Sequence, residues 1–189
     1  TLDGSEPTAA SPRYTGPVEI GKSARFRATA LREGGENASY SREFAFSKST
    51  GRPAVLNTKP NDSYTFEGAS LLVDGYHSRP VFTSGAWLGY LDEPLDVTID
   101  MGGEQSYRSV ELETLAEKGD WIFPPSSVTV WVSDNGTDFT EVASVAVPEA
   151  KAGDADGIGR YRMQFPETSA RYLKVVAQNA AAIPAWHPG

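Results

Sequence analysis

The sequence of 189 residues predicts an all-β protein whose larger, second part is a β-sandwich. Apolar and polar side chains alternate in many short segments, which is the two-residue period of a strand. Glycine, proline and asparagine separate these segments at short intervals, as turns do. No window repeats apolar residues at the helical period of about 3.6 residues, so no helix competes with the strand prediction.

The first 48 residues predict a small β-sheet. Positions 1–15 are rich in turn residues, and residues 24–31 then alternate small or apolar side chains with arginine and threonine, which predicts a strand. Gly34-Gly35 predicts a turn, and residues 40–46 predict a second strand. Because a self-sufficient sandwich needs ~100 residues, we expect the opening strands of this sheet to lie outside the sequence.

A short polar segment, residues 47–52, separates the two parts. Its sequence, Ser-Lys-Ser-Thr-Gly-Arg, is typical of a linker. We therefore predict one domain over residues 1–48 and a second over residues 49–189. The formal charge of −8 is unevenly divided, because seven basic and six acidic residues give the first domain +1, whereas ten basic and nineteen acidic residues give the second −9.

The second part predicts a series of strands joined by turns. Alternating apolar residues mark the strands, and Asn135-Gly136 is a strong hairpin signal between two of them. Residues 151–159 alternate glycine and aspartate and predict an exposed loop. The predicted strands include residues 95–101, 110–114, 128–132, 161–165 and 171–177.

Composition argues against several kinds of partner. The acidic second domain repels nucleic acids and anionic membranes, whereas neutral sugars and cations stay open as ligands. Cysteine is absent, which excludes disulfides and thiolate sites and fits a cytosolic or an exported bacterial protein. No apolar run approaches the ~20 residues of a membrane span. The sequence starts without a basic and apolar leader, so we expect any targeting signal to lie upstream.

An irregular stretch, residues 71–90, combines glycine and proline with four aromatic side chains. Its glycine and proline residues argue against a helix, and its large side chains argue against a flexible linker. Such segments are usually functional loops or packed lids of β-domains. Asp74-Gly75 is predicted to fix this loop, which leaves residues 76–85, and Tyr76 and His77 above all, free to meet a ligand.

Both parts resemble known families. The motif Thr-x-Asp-Gly-Ser-x-Pro-Thr at residues 1–8, residues 11–14 and the strand at 24–31 resemble the small, Ig-like β-domain that follows the catalytic barrel in chitobiase-like β-N-acetylhexosaminidases. The second part resembles a discoidin domain, also called a coagulation factor type C domain or family-32 carbohydrate-binding module, with a galactose-binding-like sandwich. The residues that carry this second resemblance are 72–75, 87–90, 97–102, Pro124, 133–136, Phe139 and 170–175.

The tandem order is similar to the C-terminal end of bacterial family-20 glycoside hydrolases. This resemblance implies a carbohydrate-binding accessory region of a β-N-acetylhexosaminidase that is secreted, periplasmic or at the cell surface. The catalytic barrel of such an enzyme, ~250 residues, is not in the sequence. The final strand of the discoidin family, which carries an acidic residue near its metal site, would follow Gly189, so we expect it to be missing.

The resemblance implies that Asp74 helps to hold a structural calcium ion together with backbone carbonyls of its loop. Calcium takes six to eight oxygen ligands and tolerates irregular loop geometry. An ordinary Asx turn, in which the carboxylate accepts hydrogen bonds from nearby amides, is the alternative interpretation of the same residue.

Five residues in predicted loops are candidates for contacting a sugar. A sugar site needs a flat aromatic ring for the C–H face of a pyranose and a few polar groups for its hydroxyls. The alternative is that these side chains plug the ends of the core or pack against another domain. The candidates are Tyr76, His77, Trp121, Trp186 and His187.

Other conspicuous residues are interpreted as structural. Trp87 matches a core position of the family, and Trp131 lies within a predicted strand. The pair Asp92-Glu93 has the composition of the family-20 catalytic pair, but it opens a surface strand without a pocket that could raise a carboxyl pKa. The sequence contains no nucleophile elbow, phosphate loop or zinc motif.

The sequence therefore favours a non-catalytic module that holds glycans with terminal galactose or N-acetylhexosamine near an upstream catalytic domain. A structural spacer without a ligand is the main alternative. An independent hydrolase is the third hypothesis, and for that hypothesis we expect no turnover of a hexosaminide.

Overall fold

The computed structural model describes residues 1–32 and 37–188, and it confirms the all-β prediction. Its strands form two antiparallel sheets, and short 3-10 helices occur in the connections. The predicted turn at Gly34-Gly35 lies outside the described residues. The strands are β1 (Ala24–Ala30), β2 (Ala38–Phe44), β3 (Ala54–Leu56), β4 (Leu95–Ala116), β5 (Ser127–Ser133), β6 (Thr140–Ala146) and β7 (Gly157–Gln178).

The 3-10 helices span three to five residues each, at Asp62–Tyr64, Gly68–Leu72, Phe82–Ser84 and Lys118–Asp120. None of the helices in the described part of the chain has the length and apolar character to cross a membrane.

The chain forms two compact units. Unit 1 contains Thr1–Thr50 and Asp74–His77, and unit 2 contains Gly51–Val73 and Ser78–Gly189. The domain boundary predicted between residues 48 and 49 lies close to the point at which the chain first passes from unit 1 to unit 2, between Thr50 and Gly51. A single boundary in the sequence does not separate the two units, however, because Asp74–His77 of the irregular stretch belong to unit 1.

Unit 1 is built on the two-stranded antiparallel sheet of β1 and β2. Phe26 of β1 lies opposite Arg42, and its ring meets the ring of Tyr40 edge-on at 6.2 Å. The N-terminal segment adds to the outer edge of β1, since the Thr1 ammonium donates to Arg27 O at 2.8 Å and Arg27 N donates to Thr1 O at 3.1 Å. Pairing of this kind satisfies backbone groups that an open strand edge would leave exposed.

The segment Asp74–His77 is held in unit 1 by backbone pairing. Ala45 N donates to Gly75 O at 2.7 Å, and Phe44 and Tyr76 form an isolated antiparallel bridge. Gly75 has a φ of +77°, and a Cβ atom at this position would lie 2.7 Å from the ring of Phe46. Glycine is therefore required here both for the left-handed backbone and for the close approach of the ring.

Unit 2 is an antiparallel sheet in the strand order β3-β4-β7-β5-β6. The strands β4 and β7 are each 22 residues long. Their pairing shifts register between Asp100 and Gln105, and beyond this irregularity they pair only with each other, up to Ala116 opposite Gly157. The long antiparallel pair of β4 and β7 thus extends past the five-stranded part and supplies a second layer.

The two layers of unit 2 enclose one apolar core, which confirms the sandwich. Val128 and Val130 of β5 are fully buried, as the alternating pattern predicts. Tyr107, Met163 and Phe165 lie on the extended part of the β4–β7 pair and belong to the same buried cluster. Face-to-face packing of this kind leaves the loops at the ends of the sandwich, where binding groups are usually presented.

Candidate ligand-binding site

Four aromatic side chains meet at one end of unit 2, and we call them the aromatic cluster: Trp121, Phe123, Trp186 and His187. The ring of His187 lies at the centre, with centroid distances of 4.6 Å to Trp121, 5.5 Å to Phe123 and 5.9 Å to Trp186. Phe123 also meets Trp186 at 6.3 Å. All four contacts are edge-to-face, the preferred geometry of aromatic pairs.

Trp121 is presented by a tight turn after β4. The 3-10 helix Lys118–Asp120 ends at Trp121, whose amide donates to Lys118 O at 3.1 Å. Trp121 has a φ of +63°, in the left-handed region that bulky residues avoid, at a cost of about 1–3 kcal/mol. The residue is nonetheless 49% exposed. Backbone strain that holds an exposed aromatic ring in place is a feature of functional sites more than of core packing.

The C-terminal segment supplies the other half of the cluster. A turn in which His187 N donates to Pro184 O at 2.9 Å brings Trp186 and His187 beside the Trp121 turn. The indole Nε1 of Trp186 donates to Ala150 O at 2.9 Å, yet the residue is 37% exposed. The polar edge of this indole is thus satisfied within the protein, while part of the residue remains open to solvent.

Lys118 joins the segments that build the cluster. Its side chain is buried, and its Nζ donates to Asp154 O at 2.9 Å and to the carboxylate of Asp156. Its backbone oxygen accepts from Trp121 N and lies 2.9 Å from His187 Nε2. A carbonyl oxygen can only accept, so Nε2 of His187 carries the hydrogen. The bond from the Lys118 ammonium lowers the pKa of Asp156 below its usual value.

The sequence analysis missed Phe123 and Lys118 as parts of this site. Phe123 precedes Pro124-Pro125, which stiffens the segment, and this pair is the one signal that could have drawn attention to it. Lys118 gives no signal in the sequence, because a lysine beside a glycine in a loop is ordinarily exposed.

The structure brings together three of the five predicted sugar-contacting residues, namely Trp121, Trp186 and His187. Tyr76 and His77 belong to unit 1 instead. The guanidinium of Arg42 lies 3.7 Å from the centre of the Tyr76 ring, and the ring of Phe44 lies at 4.9 Å. These contacts cover part of the Tyr76 ring, and His77 is partly buried in the same segment.

Asp74 forms the Asx turn that was the alternative to calcium ligation. Its Oδ1 accepts from Tyr76 N at 2.8 Å. The carbonyl oxygens on either side, of Val73 and Gly75, each accept from a backbone amide at 2.7 Å. Within residues 1–32 and 37–188, no three residues of the histidine, cysteine, aspartate and glutamate types are grouped to hold a metal ion. The Asx turn engages the Oδ1 atom of Asp74, and calcium stays a prediction from the resemblance.

The residues interpreted as structural have ordinary contacts. Trp87 Nε1 donates to Arg79 O at 2.9 Å, within the irregular stretch. Trp131 is partly buried and alternates with the buried Val130 and Val132, so it faces away from the core. In the pair Asp92-Glu93, the Glu93 carboxylate accepts from Lys59 N at 2.9 Å and thereby holds a loop.

Several solved structures are similar to the chain. A family-32 carbohydrate-binding module from Clostridium perfringens in complex with GalNAc-β-1,3-galactose is 17% identical, with a TM-score of 0.46, and the match covers 69% of this chain and 86% of that one. Chitosan-binding module 2 from Paenibacillus sp. IK-5, in complex with chitotriose, is 16% identical, with a TM-score of 0.47 and coverages of 72% and 91%. The C-terminal domain of a Bacteroides fragilis chitobiase is 19% identical, with a TM-score of 0.42 and coverages of 71% and 86%.

Two family models match the sequence, although no curated protein does. Residues 1–42 match the chitobiase/beta-hexosaminidase C-terminal domain, and residues 56–188 match the F5/8 type C domain. These matches confirm both resemblances that the sequence motifs carried. Because the second match spans well over half of the sequence, the chain belongs to the F5/8 type C, or discoidin, domain family.

Proposed function

We propose that the chain is a carbohydrate-binding region that takes a glycan on the aromatic cluster of unit 2. The observation that carries this proposal is the exposure of Trp121 and Trp186 beside His187, at one end of a sandwich. Exposed aromatic rings can cover the C–H face of a pyranose, and polar groups of the surrounding loops can bind its hydroxyls. Membership of the F5/8 type C family supports this location, since loops on a rigid scaffold commonly carry binding residues.

We further propose that the glycan ends in galactose or N-acetylhexosamine and that the host protein is a secreted bacterial β-N-acetylhexosaminidase. The match of residues 1–42 to the chitobiase/beta-hexosaminidase C-terminal domain supports such a host. Binding near an upstream catalytic domain would raise the local concentration of substrate even when the affinity is weak.

The region itself is proposed to be non-catalytic. Asp92 and Glu93 are both exposed, and the Glu93 carboxylate accepts a hydrogen bond from the Lys59 amide, so the pair does not line a pocket that could hold a substrate. Release of the chromophore from a chromogenic N-acetylglucosaminide by the 189-residue chain would contradict this part of the proposal.

Calorimetric titration of the chain with galactosides and N-acetylhexosaminides tests the binding proposal. The variant Trp121→Ala is the sharpest probe, because it removes an exposed ring for which the described residues show no side-chain hydrogen bond. We expect binding in the wild-type chain and at least a tenfold loss in this variant. Tyr14→Ala is the matched control, because Tyr14 is an exposed aromatic residue of unit 1. The absence of heat with every sugar at millimolar concentration would refute the proposal.

A structural spacer is the second candidate function, and one observation favours it. Trp186 Nε1 and His187 Nε2 are both committed to backbone carbonyls, as they would be if the cluster served to fasten the C-terminal segment. This alternative predicts that tryptophan fluorescence does not respond to any sugar, whereas the binding proposal predicts a change that Trp121→Ala diminishes.

A further inference from the structure

Three more aromatic side chains of unit 2 meet in the connection between β3 and β4, and we call them the second platform: Tyr64, Phe66 and Phe82. The ring of Tyr64 lies 6.3 Å from each of the other two rings, edge-on to Phe66 and tilted against Phe82. Among the described residues, no ring contact joins the second platform to the aromatic cluster. The two groups are therefore separate candidate surfaces of the same unit.

The two loops that carry these rings are fastened together by their backbones. Asn61 N donates to Gly89 O at 2.8 Å, and Gly89 N donates to Tyr64 O at 3.3 Å. A Cβ atom on Gly89 would lie 2.9 Å from the Cβ of Tyr64, so this approach requires glycine. A Cβ atom on Gly85 would lie 3.5 Å from the Phe66 ring, which shows that the ring packs against the second loop. The position of the rings is thus fixed by the backbone of both loops.

Phe66 is held open to solvent in an unfavourable backbone conformation. Its φ is +36°, in the left-handed region that a bulky residue rarely adopts. The residue is 46% exposed, although phenylalanine is ordinarily among the most buried residue types. Core packing does not explain an exposed ring on a strained backbone, whereas strain of this kind recurs where a protein holds a ligand.

The chemistry of the second platform suits an uncharged sugar. The hydroxyl of Tyr64 is open to solvent, and within the described residues it forms no hydrogen bond. It can therefore bind a sugar hydroxyl beside the apolar ring of Phe66. A full aromatic side chain offers ~150–250 Å², so three partly covered rings fall far short of the ~800 Å² that each partner of a stable protein interface buries. The net negative charge of the second domain opposes an anionic membrane as the occupant.

We propose that the second platform is an additional glycan-binding site, at which Phe66 covers one pyranose ring and the Tyr64 hydroxyl binds one of its hydroxyl groups. This inference rests on the proposed function, since it adds a second contact for a neutral glycan to the one on the aromatic cluster. Two sites on one unit make the chain bivalent toward a glycan surface, so its avidity for a polysaccharide exceeds the affinity of either site alone.

Nuclear magnetic resonance titration of the 189-residue chain tests the inference with two neutral probes, the N-acetylglucosamine trimer and lactose. The amide signals of Gly85 and Gly89 report on the second platform, and the indole signal of Trp121 reports on the aromatic cluster. We expect at least one probe to shift both sets of signals, and the two sets to saturate with different dissociation constants.

Single substitutions then separate the two sites. Phe66→Ala should weaken binding at the second platform at least tenfold and leave the Trp121 response unchanged. Tyr64→Phe keeps the ring and removes only the hydroxyl, so it should weaken the second platform by roughly two- to tenfold, the effect of one neutral hydrogen bond. It also keeps the test open if Phe66→Ala fails to fold. Leu91→Ala is the matched control, because Leu91 is an apolar residue of unit 2 that is 72% exposed and lies outside both groups.

The outcomes distinguish the inference from the proposed function. A response of Trp121 alone would overturn the inference and leave the glycan site on the aromatic cluster. A response of Gly85 and Gly89 alone, lost in Phe66→Ala, would support the inference and overturn the location of the first site. A response at neither group would overturn both. Self-association in sedimentation, or binding to anionic vesicles, that Phe66→Ala abolishes would also overturn the inference, because it would assign the second platform to another occupant.

Discussion

The role of Lys118 can be tested by Lys118→Met. Methionine keeps an unbranched apolar side chain in the buried position and removes the ammonium, so the bonds from Nζ to Asp154 O and to the Asp156 carboxylate are lost. The backbone hydrogen bonds of residue 118 do not depend on its side chain. Its amide donates to the Asp156 carboxylate, and its carbonyl accepts from Trp121 and His187. The substitution therefore isolates one attachment of the loop at residues 151–156.

The expected loss of unfolding free energy follows from the two groups that accept hydrogen bonds from the Lys118 ammonium. Hydrogen bonds that involve a charged group each contribute ~1.5–3 kcal/mol, but the Asp156 side chain is 48% exposed and can be hydrated when the ammonium is gone. We therefore expect a loss of about 1–3 kcal/mol in the free energy of unfolding of unit 2. For a chain of this size, that loss lowers the melting temperature by roughly 3–10 °C.

Thermal unfolding and sugar titration of the same samples provide the assay. We expect Lys118→Met to weaken glycan binding as well, because Ala150, whose carbonyl holds Trp186, directly precedes the released loop. The control is Lys59→Met, which removes a largely exposed lysine paired with Asp62 and should change the free energy of unfolding by less than about 1 kcal/mol. If Lys118→Met melts and binds like the wild-type chain, the argument that Lys118 assembles the site is wrong.

Three further predictions concern the rest of the chain. The Arg171 guanidinium and the Gly102 amide lower the pKa of Asp100 to about 2. The charged form of Asp100 should therefore stabilise the protein above the ordinary carboxyl pKa, and this contribution should be lost as the pH falls to about 2. Melting curves against pH should show that Asp100→Asn is less stable than the wild-type chain at neutral pH and that the two melting temperatures converge near pH 2. Gly75→Ala should destabilise unit 1 by about 1–3 kcal/mol and speed hydrogen exchange of the Ala45 amide, whereas Gly51→Ala, at a similar φ of +70° with no atom within 4 Å, should show only the smaller cost of backbone strain. The resemblance predicts that calcium raises the melting temperature and that a chelator reverses the change; a melting temperature that neither reagent moves would count against a structural calcium ion.

The strands of unit 2 were predictable because burial imposes a simple period on them. The alternation of the buried Val128 and Val130 with less buried neighbours, and the Asn135-Gly136 hairpin, are local signals that agree with the tertiary structure. The length of β4 was not predictable in the same way. The sequence predicts separate strands at 95–101 and 110–114, whereas one strand continues from Leu95 to Ala116 through a register shift that side-chain alternation does not encode.

The candidate site was predictable only in part, because loops converge through contacts between residues that are distant in sequence. Trp121 and His187 were both candidates, but no local pattern indicates that the carbonyl of Lys118 holds them together. Tyr76 illustrates the converse, since an aromatic residue in an irregular loop suggests an open ligand-binding surface. In the structure its ring packs with Phe44 and Arg42, through a pairing between β2 and the segment Asp74–His77 that sequence spacing does not reveal.

The long antiparallel pair of β4 and β7 has a consequence for the way unit 2 folds. Both layers of the sandwich share these two strands, so neither layer can melt without breaking the pairing that continues into the other. Just beyond one end of this pair, the Asn179 side chain donates to the carbonyl of Leu91, 88 positions away in the sequence. Closing so long a loop has a large entropic cost before any core forms, so we expect unit 2 to fold slowly and in a single cooperative transition. A nascent chain that ends before β7 would lack a strand of both layers at once, and for that time its apolar β5 would depend on chaperones rather than on its own core.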